Sequence, residues 1–281
     1  MSRASRDNQH LKSILDELLE GRTPVEERRN DPVEIVWEYR RPADREVVAL
    51  VASCLAYGRV DKLKEAIRAA LRPLGAHPAD ALRDQPVHPA STWSDFVYRM
   101  TRGADLRGLF AAIGRTLREF DSLEAAYSDG EDRPHLGRAS RMIGRLRERR
   151  LRDQLHRGLR YLLPDPADGS ACKRLHLFFR WVGRGPDGVD LGLWEAIDSS
   201  ELLMPLDTHT SRICRYIGLT DRKSVDGKTA RQVTDALREL DAEDPIKYDF
   251  ALCHLGISES CIHQRSEEHC PACPLESICR L

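Results

Sequence analysis

A chain of 281 residues with 41% hydrophobic content is long enough for one large or two modest domains with a sizeable core. Its 44 lysines and arginines nearly cancel 45 aspartates and glutamates, so net charge gives no general attraction to nucleic acid and any such partner must meet a local patch. No run approaches the ~18 apolar residues of a membrane helix and no lipidation signal opens or closes the chain, so a cytoplasmic protein is expected.

Helical spacing dominates, and no convincing alternation of apolar and polar residues lies between hairpin turns, so the expected fold is all-α. Asp44 is placed to cap a helix whose Val47, Val48, Val51, Cys54 and Leu55 form one apolar stripe ending near Tyr57-Gly58. A second helix runs through Leu63, Ile67, Ala70 and Leu71 and closes before Pro73. The spacing predicts further short helices over 96–100, 106–120, 123–127, 139–151 and 155–162, separated by Gly, Pro, Asp and Ser. Seven arginines, 138, 141, 145, 147, 149, 150 and 152, fall within fifteen residues holding a single carboxylate, Glu148, which suits a solvated helix face or a phosphate-binding one. Pro164, Pro166 and Gly169 interrupt the helices. Ser170 is a good N-cap for a helix over 173–182 that buries Leu175, Phe178, Phe179 and Val182. Glycines 183, 185 and 188 break the chain again. A turn, Met204-Pro205-Leu206-Asp207-Thr208-His209, then feeds a helix through Ile213, Cys214, Tyr216 and Ile217 that Gly218 terminates. Helices over 229–240 and 245–255 follow, with Pro245 at a first helical position and Gly256 just past the end.

The last twenty-one residues hold Cys261, Cys270, Cys273 and Cys279, separated by eight, two and five residues. Disulfides are disfavoured because no apolar signal stretch opens the chain. Ligand softness and spacing favour an iron-sulfur cluster, which can order a polar tail with little apolar surface of its own. Zinc is the alternative, although common zinc sites pair two Cys-x-x-Cys knuckles and here only Cys270 and Cys273 form one. Cys54, Cys172, Cys214 and Cys253 lie in apolar helical surroundings and read as core.

Asp207 stands at a helix start, where backbone amides and the positive end of the helix dipole stabilise a carboxylate; by itself this is an N-cap. The run Leu206-Asp207-Thr208-His209-Thr210-Ser211-Arg212-Ile213, followed some fifty residues later by four cysteines, resembles the catalytic-aspartate turn and cluster of endonuclease III and the adenine glycosylase, members of the helix-hairpin-helix DNA glycosylase superfamily. Ser170-Ala171-Cys172-Lys173-Arg174-Leu175, Arg180-Trp181, residues 190–194, Pro205-Leu206-Asp207 and residues 244–252 resemble an uncharacterised bacterial family of about this length. Lys173 precedes Asp207 by 34 positions, a placement similar to that of the archaeal 8-oxoguanine glycosylases.

The resemblance implies a two-lobed fold, with residues 41–200 as a central lobe and residues 1–40 plus 201–281 as a second, and a C-terminal 4Fe-4S loop. It implies a glycosylase that removes an oxidised purine, foremost 8-oxoguanine, from double-stranded DNA as a nucleoid-associated monomer. Asp207 would stabilise positive charge developing on the sugar, and Lys173 would form a Schiff base and support strand cleavage at the abasic site. At a helix start the Lys173 ammonium is expected to be disfavoured, freeing the amine. Tyr57 and Arg59 fall where the superfamily probes lesions; Arg180 and Arg184 flank a glycine cluster that could replace the usual hairpin; His209 and Arg212 lie beyond Asp207. These six are the expected DNA contacts. Trp93, Trp181, Trp194, Tyr57 and Phe179 are candidates to sandwich a flipped base, or plain core. A monofunctional glycosylase using Asp207 and water, and a non-catalytic iron-sulfur DNA-binding protein, remain as alternatives.

Overall fold

The computed structural model describes residues 3–85, 88–129, 133–147, 157–257 and 261–281, and in it the chain is mostly helical. In chain order the helices are α1 (Arg3–Glu20), α2 (Pro24–Glu27), α3 (Val33–Trp37), α4 (Pro42–Cys54), α5 (Val60–Leu71) and α6 (Pro78–Asp84). A short antiparallel hairpin, β1 (Val97–Tyr98) and β2 (Thr101–Arg102), comes next, the only strand pairing in a sheet among the described residues. Then follow α7 (Gly103–Phe120), α8 (Leu123–Ser128), α9 (His135–Arg147), α10 (Arg157–Leu162), α11 (Lys173–Gly183), α12 (Thr208–Tyr216), α13 (Gly227–Arg238) and α14 (Asp249–Ile257). Among the described residues no helix is long and apolar enough to cross a membrane.

The chain divides into two compact units, one of Met1–Thr23, Gly169–His176 and Asp198–Leu281 and one of Pro24–Asp168 and Leu177–Ile197. Lys173 and Asp207 fall in the same unit. In that first unit α12 packs against α14, burying Ile213, Cys214, Ala251 and Leu252. Tyr248 donates its hydroxyl to Asp16 at 2.7 Å, and Lys247 reaches Asp241 at 2.8 Å, tying α1 to the turn before α14. In the second unit α4 is buried almost all round through Val47, Val48, Leu50 and Val51, as expected of a helix surrounded by others.

Four local expectations need correction. Asp44 does not cap its own helix, which starts at Pro42; its buried carboxylate instead accepts the Ala79 amide at 3.0 Å, capping α6 from outside. The stretch 96–100 is a hairpin rather than a helix, because Trp93 and Arg99 take left-handed φ of 60° and 51°, which no α-helix accommodates. Helix α14 starts at Asp249, not at Pro245; residues 245–248 form a turn with the Asp249 amide on the Ile246 carbonyl at 3.0 Å. Ser170 yields the cap of α11 to Cys172, whose carbonyl accepts the Leu175 and His176 amides at 2.9 and 3.0 Å.

The arginine run is turned inward. Arg138 donates to the Ala196 carbonyl at 2.8 Å, Arg145 to Ala126 at 2.8 Å and Arg147 to Leu163 at 2.8 Å, while Arg141 reaches the Asp129 carbonyl at 3.1 Å. Three of these carbonyls, of Ala126, Asp129 and Leu163, lie at helix C-termini, where backbone oxygens otherwise lack partners. Arg149, Arg150 and Arg152 lie outside the described residues.

Candidate active site

Asp207 is the N-cap of α12, its Oδ1 accepting the Thr210 amide at 2.9 Å. Its other oxygen, Oδ2, stands 3.2 Å from the Lys173 ammonium, with 27% of the lysine and 31% of the aspartate side chain exposed. The cap and the candidate catalyst are thus the same carboxylate. One oxygen fixes its direction by a backbone bond, and the other is presented to a cation at a partly open surface.

The Lys173 stem is set by a latch. Cys172 sits at φ 44°, an uncommon left-handed conformation for a non-glycine residue, with its amide on Ser170 Oγ at 3.3 Å. Ser170 pairs with Asp226 in an isolated antiparallel bridge, and the Gly227 amide donates to the Gly169 carbonyl at 2.9 Å. Asp226 caps α13 through the Thr229 amide at 2.9 Å and is held by Arg222 at 2.7 Å. A Cβ at position 227 would lie 3.0 Å from the Ser170 carbonyl oxygen and 3.2 Å from that of Gly169. Gly227→Ala should therefore push the loop, loosen the Lys173–Asp207 pair and bring the lysine pKa down toward its ordinary value. NMR titration of the reductively methylated amine reads this directly, and an unchanged midpoint would show that the latch does not set the lysine.

Burial works against charge on Lys173, yet Cys253, Asp207 and Asp249 outweigh it and hold the amine above the ordinary lysine range. This corrects the expectation of an amine freed by the helix start: nearby opposite charge dominates the dipole. Asp207, against its own partial burial, is held below the ordinary carboxylate value by Lys173 and the Thr210 amide. At neutral pH the pair is ammonium and carboxylate.

Sequence reasoning missed the groups around the pair. Asp249, buried in the first turn of α14, faces the electrostatic field of Lys173, and Cys253 lies one turn further along the same helix. Buried Cys214 on α12 has its thiol pushed up by burial, Asp249 and Asp207, so it stays neutral. His176, one turn past Lys173, is pushed down to about 4 by burial and Arg231 and is a neutral imidazole. The available signal was a carboxylate and a thiol four residues apart on a mostly apolar helix, which puts both on one face.

His209 and Arg212 are exposed on α12 beyond Asp207. His209 Nδ1 is 3.4 Å from His263 Nε2 in the cysteine tail, and the Tyr216 hydroxyl reaches the His263 carbonyl at 3.5 Å. At the far end of α12 the Arg280 amide donates to the Tyr216 carbonyl at 2.8 Å. The tail therefore braces α12 at both ends.

None of the eight cysteines is in a disulfide. Cys54, Cys172 and Cys214 are buried and Cys253 is half-buried. Cys261, Cys270, Cys273 and Cys279 line one cavity. Burial and the three other sulfurs push the Cys273 thiol up, and the Ser266 amide donates to Cys270 Sγ at 3.3 Å. Among the described residues no three His, Cys, Asp or Glu side chains converge as a ready-made single-ion site. Four soft donors around one cavity, one with an N–H bond to its sulfur, fit the donor set of an iron-sulfur cluster.

The remaining expected contacts belong to the second unit. Tyr57 packs on Tyr98 and Tyr161 with ring centroids 5.1 and 5.7 Å apart. Arg59 is exposed and pairs with Asp61 at 2.9 Å. Arg180 is 2% exposed and pairs with fully enclosed Asp190 at 3.0 Å; Arg184 reaches the same carboxylate at 2.8 Å and also Asp187. Asp187 Oδ1 in turn accepts the Val189 and Asp190 amides at 3.0 and 2.8 Å. The loop's own aspartates thus pair with both arginines. Trp181, Trp194 and Phe179 are buried core, and Trp93 donates its indole N–H to the Ala70 carbonyl at 2.8 Å.

Residues 31–258 match the family described as Protein of unknown function (DUF2400), and the chain belongs to that family. The match contains Lys173, Asp207, Asp249 and Cys253 and ends before Cys261. No curated protein and no solved structure matches the chain.

Proposed function

We propose that this protein is a DNA base-excision glycosylase of the helix-hairpin-helix superfamily, with associated abasic-site lyase chemistry, acting on an oxidised purine and foremost on 8-oxoguanine. The observation that carries the reading is the Lys173–Asp207 pair at 3.2 Å: an amine and a carboxylate, both partly exposed, close enough to flank one sugar. Cleavage of the N-glycosidic bond develops positive charge on the deoxyribose, which the Asp207 carboxylate stabilises. Lys173, after giving up its proton, attacks the sugar carbon and leads to a Schiff base. The amine's charged resting state means that a proton must leave it as substrate displaces the ion pair.

Cys261, Cys270, Cys273 and Cys279 would hold a 4Fe-4S cluster, which supplies a covalent staple for the tail. Through His263 and Arg280 that staple would steady α12 and hence Asp207. The preference for 8-oxoguanine rests on the placement of Lys173 in the sequence, and double-stranded DNA bearing the lesion is the partner.

The test is a panel of lesion-bearing duplexes incubated with the purified protein, with borohydride added to capture any Schiff base. Excision of an oxidised purine with a covalent adduct is the expected result. No excision across the panel would reject the proposal. A second reading, a monofunctional glycosylase using Asp207 and water, is favoured by the charged state of Lys173; it predicts excision with no captured adduct.

A further inference from the structure

We propose that the hairpin at residues 97–102 is a wedge for double-stranded DNA, with Met100 and Val97 entering between stacked bases and Arg99 and Arg102 meeting the flanking phosphates. The inference rests on the DNA-repair reading above and names the surface that would engage the duplex. Its starting point is exposure. Met100 and Val97 are 64% and 63% exposed, the most exposed large hydrophobic side chains among the described residues, and they share one hairpin. Single exposed apolar residues need no explanation, but two together on one short hairpin do.

The register explains why they point outward. Val97 pairs with Arg102 and Tyr98 with Thr101, so alternation sends Tyr98 and Thr101 into the protein, at 7% and 1% exposure, and Val97 and Arg102 out. The turn is held stiffly. The Tyr57 hydroxyl bonds Thr101 Oγ1 at 2.7 Å, the Tyr98 hydroxyl donates to the Tyr57 carbonyl, and the Gly103 amide donates to the Phe96 carbonyl at 3.0 Å. Behind the hairpin Gly103 passes so close to Trp93 that a Cβ would lie 1.7 Å from its carbonyl oxygen. A stiff tip can enter a base stack without first having to be ordered.

Charge selects the partner. Arg59 and Lys62 nearby are already paired with Asp61 and Glu65. Among the described residues Arg99 and Arg102 form no ion pair; Arg102 donates to the Arg99 carbonyl at 3.0 Å, the Arg99 guanidinium lies beside the Tyr98 hydroxyl, and both side chains are exposed. One or two apolar side chains flanked by arginines are what an intercalating wedge requires. They are too few for a stable protein interface or for membrane anchoring. Tyr57, expected to probe the lesion, lies beneath this hairpin as its support.

The experiment measures binding of the full chain to a duplex with a tetrahydrofuran abasic-site analogue beside 2-aminopurine. Met100→Ala should weaken binding roughly tenfold and abolish the rise in 2-aminopurine fluorescence that reports unstacking, while Met100→Leu keeps both. Arg99→Gln and Arg102→Gln should each lower the slope of log Kd against log salt by about 0.9, and Met100→Ala should leave that slope unchanged. Wild-type binding with all these variants indistinguishable from it overturns the wedge while the DNA reading stands. A wild type that binds no duplex overturns both. Binding to anionic phosphatidylglycerol vesicles in place of the duplex also overturns the proposal.

Discussion

If Lys173 and Asp207 carry the proposed glycosylase chemistry, Lys173→Gln should lose both base excision and covalent capture, whereas Asp207→Asn should lose excision alone and still form an adduct with a preformed abasic site. The difference follows from what each group does. Releasing the base needs a carboxylate to stabilise the cationic sugar, and removing such a group costs on the order of a hundred- to a thousandfold. An abasic site is already an aldehyde, so the Schiff base needs only a free amine, and Asp207→Asn helps there by removing one of the charges, beside Cys253 and Asp249, that keep Lys173 protonated. Lys173→Gln would lack the proposed nucleophile for either step and should fall by roughly a thousandfold or more in both. The pH dependence has a definite sign. With its pKa raised, Lys173 in the wild type is almost entirely ammonium at neutral pH, so capture on an abasic duplex should accelerate as pH rises through 8 and 9. In Asp207→Asn the same rise should begin at lower pH. For stability the pair works the other way. Its contribution is complete through the neutral range, fades below the ordinary carboxylate value as Asp207 is protonated, and fades above the ordinary lysine value as Lys173 loses its proton. Equal capture by Lys173→Gln and wild type would remove the lysine from the chemistry.

The parts of this site that were legible in the sequence were those set by local rules. A carboxylate immediately before an apolar-periodic stretch is a capping signal, and Asp207 is a cap in the structure. The tail cysteines announce themselves by spacing. The pairing of Lys173 with Asp207 rested on resemblance, because no local rule links residues 34 apart. Charge runs were the least legible: a row of arginines states how much charge is present but not what it meets, and four of the described ones are satisfied by carbonyls. Arg180 and Arg184 were read as phosphate contacts because they flank a glycine cluster, and no local rule showed that Asp187 and Asp190 would pair with them. The hairpin escaped detection because its strands are two residues long and its turn places an arginine, not glycine or asparagine, in the left-handed region. Asp249 was hidden because a helix read from Pro245 places it past the first turn, as one more polar residue with nothing local to relate it to Lys173.

A second large effect is expected within the second unit, at Glu46. This carboxylate on α4 is 5% exposed and accepts three N–H bonds: Leu123 at 2.9 Å, Glu124 at 2.8 Å and the Trp194 indole at 2.8 Å. It closes the N-terminus of α8 and fixes the indole at once, joining three separate stretches of one core. Burial pushes its pKa up to about 7, against the pull of the three donors. A folded value above the ordinary 4.5 means that the native state holds this proton more tightly than the unfolded chain does. Stability from this group is therefore full below pH 4.5 and declines as pH rises to 7, by about 3 kcal/mol. Glu46→Ala removes that slope and leaves three buried donors without an acceptor, each costing about 1–3 kcal/mol. Urea denaturation should thus show the wild type ahead of Glu46→Ala by about 3 kcal/mol or more at pH 5, with the lead shrinking toward pH 8. Parallel stability curves for the two proteins across that range would mean that Glu46 keeps its charge throughout, with the three N–H donors overcoming the cost of burial.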